Sequence, residues 1–252
     1  VRELLMSDEG IVQAVFGRSM ADLMAINPEI KASMSRRYPV NYDDFVNQID
    51  IDLENIISNT ESGKQHHLTK GEDELTQHLI DQLKVLYPSV HHDPQNGGHC
   101  DIYMEAKSAD GTMLKWITEA KVWKGFDHVY GGLDEQLIRS YANGGVYNNK
   151  GGLIFYSKLA TGGKFAMDQW HAGLLGEGVA ISQLRSDGLR FTTVHKLNEG
   201  QGSEYTVRHY MIDVYHEPTQ KALEKAKTKA TEKLKAELRK EIESEALNKR
   251  AQ

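Results

Sequence analysis

The stretch Asp101-Ile102-Tyr103-Met104-Glu105-Ala106-Lys107-Ser108-Ala109-Asp110-Gly111-Thr112-Met113-Leu114-Lys115-Trp116-Ile117-Thr118-Glu119-Ala120-Lys121-Val122-Trp123 reads as a β-hairpin, two apolar-rich runs around an Ala-Asp-Gly turn. Alternation along the second run puts Lys115, Ile117, Glu119, Lys121 and Trp123 on one face. Leu114, Trp116, Thr118, Ala120 and Val122 take the other, more apolar face. Glu119 and Lys121 therefore point the same way. A two-residue turn at Asp110-Gly111 sets Asp101 opposite Ala120, facing away from Glu119. A three-residue loop Ala109-Asp110-Gly111, with Gly111 left-handed in a bulge, sets Asp101 opposite Glu119. The residues suit both turns. The three-residue form is the expectation, chosen because it gathers two carboxylates and a lysine.

Upstream, Leu68–Tyr87 has the period of an amphipathic helix. At about 100° per residue, Leu68, Leu75, Leu79, Leu83 and Leu86 share one arc; Glu72 falls inside it and Glu74 points away. A carboxylate within a core-facing stripe is costly unless something pairs with it. The plainer reading is an acidic residue on the first helical turn, favoured by the helix dipole and turned to solvent.

Two carboxylates a few ångströms apart repel unless a proton or a cation sits between them. Asp and Glu oxygens with room for water suit Mg2+ or Mn2+. The Ala120 carbonyl, between Glu119 and Lys121, is a candidate third metal ligand. A nearby ammonium can offset charge that develops on a phosphoryl group or lower the pKa of a water. At these residues the chain resembles the PD-(D/E)XK nuclease superfamily. The likeness rests on Asp101 at a strand start, Glu119-Ala120-Lys121 on the next strand, and the preceding helix with Glu72 turned inwards. It departs from the pattern in lacking Pro before Asp101, where Gly97-Gly98-His99-Cys100 stands. The resemblance implies a restriction-endonuclease-like α/β fold, a mixed sheet flanked by helices. It also implies that Asp101 and Glu119 bind the metal, that Lys121 works beside the attacking water, and that Glu72 completes the site.

Gly131–Tyr141 reads as a helix with Leu133, Gln136, Leu137 and Tyr141 on one face, followed by a buried-strand candidate, Lys150–Ser157. A Gln then a Tyr on this helix looks like the helix motif of the RecB-like branch, with one residue more between them than usual. That makes Gln136 a candidate active-site residue; Tyr141 by itself reads as a core aromatic. The resemblance spans roughly residues 68–160. It implies metal-dependent cleavage of nucleic acid, DNA before RNA, and by analogy a role in restriction, repair or anti-phage defence. Lys115, Lys124, Arg139 and Lys158 form a candidate phosphate-contact set, with Trp123 a candidate for stacking on a base or sugar. The alternative is the same fold without catalysis, as a module that binds nucleic acid or protein, with Glu119 and Lys121 merely a surface ion pair.

The rest of the 252 residues frames this centre. Helical stretches are expected around 8–36 and 42–58, broken at Tyr38-Pro39, and Ser58–Lys64 reads as a polar turn. Beyond Gly163, a helix at Lys164–Leu175 and strands near 179–184, 189–197 and 204–215 extend the sheet, the last two as a hairpin. The expected organisation is a helical region 1–62, the nuclease-like domain 63–217 and a long charged helix 218–252. Residues 219–252 carry ten Lys or Arg against six Glu, a net of +4, so residues 1–218 hold −10 of the overall −6. Every fourth residue from Ala226 to Ala246 is apolar, a narrow stripe that suits either a solvated helix or one that binds a partner or a second copy. An acidic body does not announce non-specific DNA binding. Among eleven histidines no HExxH spacing occurs; the pairs His66-His67 and His91-His92 point apart, and His99 reads as a loop residue. The paired glycines at 131, 144, 151 and 162 lack phosphate-loop spacing and read as turns. One cysteine, Cys100, and no run of 18 apolar residues suggest a reducing, cytoplasmic setting without a membrane span or secretory signal.

Overall fold

Each N-terminal helix starts where a side chain can take up a free backbone N–H. The computed structural model of the chain describes residues 10, 13, 15–92, 100–142, 144–182, 185, 187–197, 204–217, 224, 228–229 and 231–235. Helix α1 (Met20–Ile26) is capped by Ser19 and Asp22 reciprocally. Helix α2 (Pro28–Arg37) begins at Asn27, whose side chain accepts from Glu29 N, with Pro28 preset for the first helical position. These caps correct the expectation of one stretch over 8–36: the extended backbone at Asn27 divides it. Helix α3 (Tyr42–Ser62) is capped by Asn41 and runs through most of the region read as a polar turn, stopping at Gly63. Helix α4 (Glu72–Leu86), with Gly71 at its N-cap, starts four residues later than its apolar period suggests.

Seven strands among the described residues form one mixed sheet in the order β1-β2-β3-β4-β7-β6-β5. They are β1 (Val90–His92), β2 (Ile102–Lys107), β3 (Met113–Val122), β4 (Lys150–Ser157), β5 (Ala180–Ser182), β6 (Arg190–Lys196) and β7 (Glu204–Asp213). β3, β4 and β7 run parallel; the other neighbours pair antiparallel, β6 and β7 among them. The β2–β3 register, Ile102 with Thr118 through Lys107 with Met113, is the one the three-residue loop requires. Gly111 sits at φ 86°, a left-handed conformation that glycine adopts without steric cost. Ser108 N donates to Thr112 O at 3.0 Å to close the loop.

Alternation along β4 sends its side chains into two cores. Ile154 and Tyr156 pack with Phe45, Ile49 and Leu53 of α3 and Leu75, Leu79 and Leu83 of α4. Leu153 and Phe155 pack beneath α5 (Phe126–Gly131), its continuation Gly132–Tyr141, and α6 (Gly163–Gly176). The helical N-terminal residues thus share a core with the sheet. Gly131-Gly132 lies inside a helix, Gly151-Gly152 inside β4, and Gly163 begins α6, so the turn reading of these pairs is corrected. On the outer side, Asp52 of α3 is fully buried and takes both Nε (2.8 Å) and Nη2 (2.6 Å) of Arg36, with Tyr87 Oη at 2.6 Å and Gln48 Nε2 at 3.1 Å.

The chain divides into two compact units, Val1–Tyr215 and His216–Gln252. In the second, residues 231–235 are helical and exposed. Residues 218–223, 225–227, 230 and 236–252 of the expected charged helix, residues 8–9 of the first helical stretch, the 97–99 glycine-histidine segment and the 198–203 loop lie outside the described residues. No helix among the described residues is long and apolar enough to cross a membrane.

Candidate active site

β3 outruns its neighbour. β2 ends at Ile102, opposite Thr118, whereas β3 continues to Val122. On this stretch the N–H groups of Ala120 and Val122 turn to the edge that β2 has left, and a free edge N–H needs an acceptor. Two carboxylates take them. Ala120 N donates to Asp101 Oδ2 at 2.7 Å, and Val122 N to Glu72 Oε2 at 2.6 Å. Glu72, the first residue of α4, is therefore not turned to solvent as a dipole-favoured terminal residue; it reaches across to the sheet. The site is anchored again where Lys158 Nζ, just past β4, donates to Lys70 O ahead of that helix.

Asp101 follows the register outward from Ile102 and comes opposite Glu119. Lys121 lies between the acids: its Nζ is 2.5 Å from Glu119 Oε1, 3.7 Å from Glu72 Oε1 and 3.9 Å from Asp101 Oδ2. The structure thus brings Glu72, Asp101, Glu119 and Lys121 together, from a helix start and two strands. Glu119 is 1% exposed, and its second oxygen, Oε2, takes no donor among the described residues; a protonated Glu119 carboxyl has Asp101 as its acceptor. Burial, then the neighbouring Asp101 carboxyl, pushes the Glu119 carboxyl up to about 8, against the lowering effect of Lys121. Burial also raises Asp101, opposed by the Ala120 N–H and by Lys121. Burial works against the Lys121 charge, but Glu119, Asp101 and Glu72 outweigh it and hold its ammonium above the ordinary lysine value. The acids carry more charge than one lysine neutralises, so a proton or a further cation belongs in the group.

Gly132, at the start of the continuation of α5, sets the space for Lys121. A Cβ there would stand 3.0 Å from Lys121 Cε and 3.4 Å from Glu119 Cγ. Its proximity was not foreseen; the only sequence signal is a glycine inside a helical period just after the Lys strand. From Gly132 to Tyr141 the helix is wound with i→i+5 hydrogen bonds, as from Ala142 N to Leu137 O. Such winding stacks residues five apart, as an α-helix stacks residues four apart. Gln136 and Tyr141 are five apart, so the extra residue noted between them is absorbed and they share a face. Tyr141 packs into the core; Gln136 is half-buried, and no hydrogen bond ties it to the four site residues.

The proposed nucleic-acid contacts fare differently. Lys124 and Arg139 are exposed, Arg139 paired with Asp134 at 2.7 Å. Lys115 lies over the Tyr103 ring at 5.9 Å. Trp123 is a correction: it is buried against Phe155 and Trp170, with no ring face free for a base. Among the described residues no group of three His, Cys, Asp or Glu is arranged to hold a metal ion. Mg2+ commonly takes only one or two carboxylates and fills its shell with water. Glu119 Oε2, Asp101 and the Ala120 carbonyl, which in an extended strand turns to the same side as its N–H, suit that requirement. No family model, curated protein or solved structure matches the chain.

Proposed function

We propose that the chain is a metal-dependent nuclease of the PD-(D/E)XK, restriction-endonuclease-like type that hydrolyses nucleic-acid phosphodiester bonds, with DNA the preferred substrate. One observation carries this reading: an ammonium held among three carboxyl groups, one of which has a buried oxygen that takes no donor among the described residues. A structural ion pair needs one carboxylate and satisfies both its oxygens; this group has acid to spare. Asp101 and Glu119, with the Ala120 carbonyl, would hold Mg2+ or Mn2+. The bound ion would supply Lewis-acid polarisation of the phosphoryl oxygen and ease the ionisation of water. Lys121, charged at neutral pH, orients a water by donating to it and offsets negative charge on the phosphate. Glu72, anchored on Val122 N, keeps the Lys121 ammonium over the strand edge. Lys124 and Arg139 are available to phosphates, which position a nucleic acid without reading its sequence.

A non-catalytic module for nucleic-acid or protein binding is the second reading, and the closed 2.5 Å pair of Lys121 and Glu119 favours it. Incubation with plasmid and linear DNA plus Mg2+ or Mn2+, beside Lys121→Ala, separates the two. Cutting that needs the ion and is lost in the variant supports the nuclease; no cutting by the unaltered chain with either ion and either DNA supports the module.

A further inference from the structure

Away from the carboxylate–lysine cluster, and sharing no lining residue with it, a pocket of about 290 Å3 opens between α3 and the strands β4, β7, β6 and β5. Its wall is polar: Asp50 of α3, Lys150, Arg208, and the hydroxyl residues Ser182, Thr192 and Thr206. Such a surface has little to offer an apolar ligand. Each cation already lies over an aromatic ring at 5.9 Å, Lys150 over Tyr42 and Arg208 over Tyr210, and each has carboxylate partners. Arg208 reaches Asp50 at 3.2 Å and Glu54 at 3.7 Å through its terminal nitrogens, while its Nε is buried without a partner among the described residues. Lys150 Nζ pairs at 2.5 Å with Asp43, a residue 70% exposed and so free to yield to a better anion. Asp50 accepts from Tyr210 and pairs with Arg208, so it offers a ligand hydroxyl an acceptor beside the two cations. The volume is at the low end for ligand cavities, the size of one nucleotide rather than two.

We propose that this pocket binds a small phosphorylated ligand of mononucleotide or sugar-phosphate size. Its phosphate sits between Lys150 and Arg208, and its hydroxyl groups meet the side-chain hydroxyls and the Asp50 carboxyl. Arg offers paired N–H donors to phosphate and Lys a compact charge, so together they distinguish phosphate from a neutral sugar. The proposal is independent of the nuclease reading.

Calorimetric titration of the full chain with inorganic phosphate, the four common nucleoside 5′-monophosphates, ribose 5-phosphate and neutral ribose tests it. The expected result is saturable binding of at least one organic phosphate, tighter than inorganic phosphate and absent for ribose. Lys150→Gln and Arg208→Gln should each weaken it at least tenfold, and Glu119→Gln should leave it unchanged. Arg208 belongs to an ion network, so Lys150→Gln, at a partly exposed position, decides the matter if Arg208→Gln fails to fold. No saturable binding of any probe, binding that both variants retain, or competition by short duplex DNA that displaces every probe would overturn the proposal.

Discussion

Lys121 Nζ stands 2.5 Å from Glu119 Oε1, while Oε2 of the same carboxyl is buried and takes no donor among the described residues. The lysine thus covers one side of a carboxyl whose other side is left for a proton or a cation. Replacing it removes the charge that the proposed reaction needs, but not the means of keeping Glu119 neutral, since that carboxyl already holds its proton up to about 8. Lys121→Met should therefore reduce DNA cleavage by about 100-fold or more, the scale for losing one preorganised charge-stabilising donor. Its melting temperature at neutral pH should stay close to that of the unaltered chain. Cleavage rates and thermal melts on the same preparations check both halves; a variant that cuts normally excludes a role for Lys121 in the chemistry.

The hairpin was legible from period-2 alternation through Glu119 and Lys121 and from the Ala-Asp-Gly turn; its register was not, because the turn residues suit both loops and only the gathering of two carboxylates and a lysine favoured the three-residue form. Glu72 was legible from its angle within an apolar helical stripe. Trp123 shows where such reasoning stops. Alternation places it on the face of Glu119 and Lys121, but only the packing of Trp170 and Phe155 decides that its ring is covered. The start of α4 was misplaced because Leu68 keeps the helical period while the backbone still turns, until Gly71 and Glu74 cap the helix. The i→i+5 winding from Gly132 and the closeness of Gly132 to Lys121 are tertiary facts with no periodic trace.

Stability should depend on pH through Glu119. Its folded carboxyl is raised to about 8 from an ordinary 4.5, so the folded chain holds a proton that the unfolded chain has already lost. A raised group contributes stability that is full below its unfolded value and is lost as pH rises through its folded value. In metal-free buffer the melting temperature should accordingly fall between about pH 5 and pH 8. Glu119→Gln, which keeps the shape without the titration, should flatten that fall. Thermal melts of both proteins across this range decide it; parallel profiles would assign the dependence to other groups.

Asp52 should matter for folding and not for chemistry. Arg36, Tyr87 and Gln48 all donate to its carboxylate, and it is fully buried. Asp52→Ala leaves a nearly buried guanidinium with the exposed Glu29 as its one charge partner among the described residues. Removing one member of a buried pair costs about 3–5 kcal/mol. Urea denaturation should show a loss of that size, with cleavage per folded molecule unchanged below the new midpoint. A loss under about 1 kcal/mol would mean that the pair is solvated and weak.

Gly132 offers a way to move Lys121 without deleting it. A Cβ would come within 3.0 Å of Cε and 3.1 Å of Cγ of that side chain, closer than carbon atoms pack. The flexible lysine gives way before the backbone does, so Gly132→Ala should cost only about 1–2 kcal/mol of stability. Its effect belongs at the ammonium: pushed away from Glu119, Lys121 lowers that carboxyl less. The fall of stability with pH should then shift to higher pH in the variant, and cleavage should drop about tenfold, as for a modest misplacement of a reacting group. Melting profiles against pH read the first effect without any assay of activity. If the profile of Gly132→Ala overlays that of the unaltered chain while cleavage falls, the glycine acts on substrate access and not through Lys121.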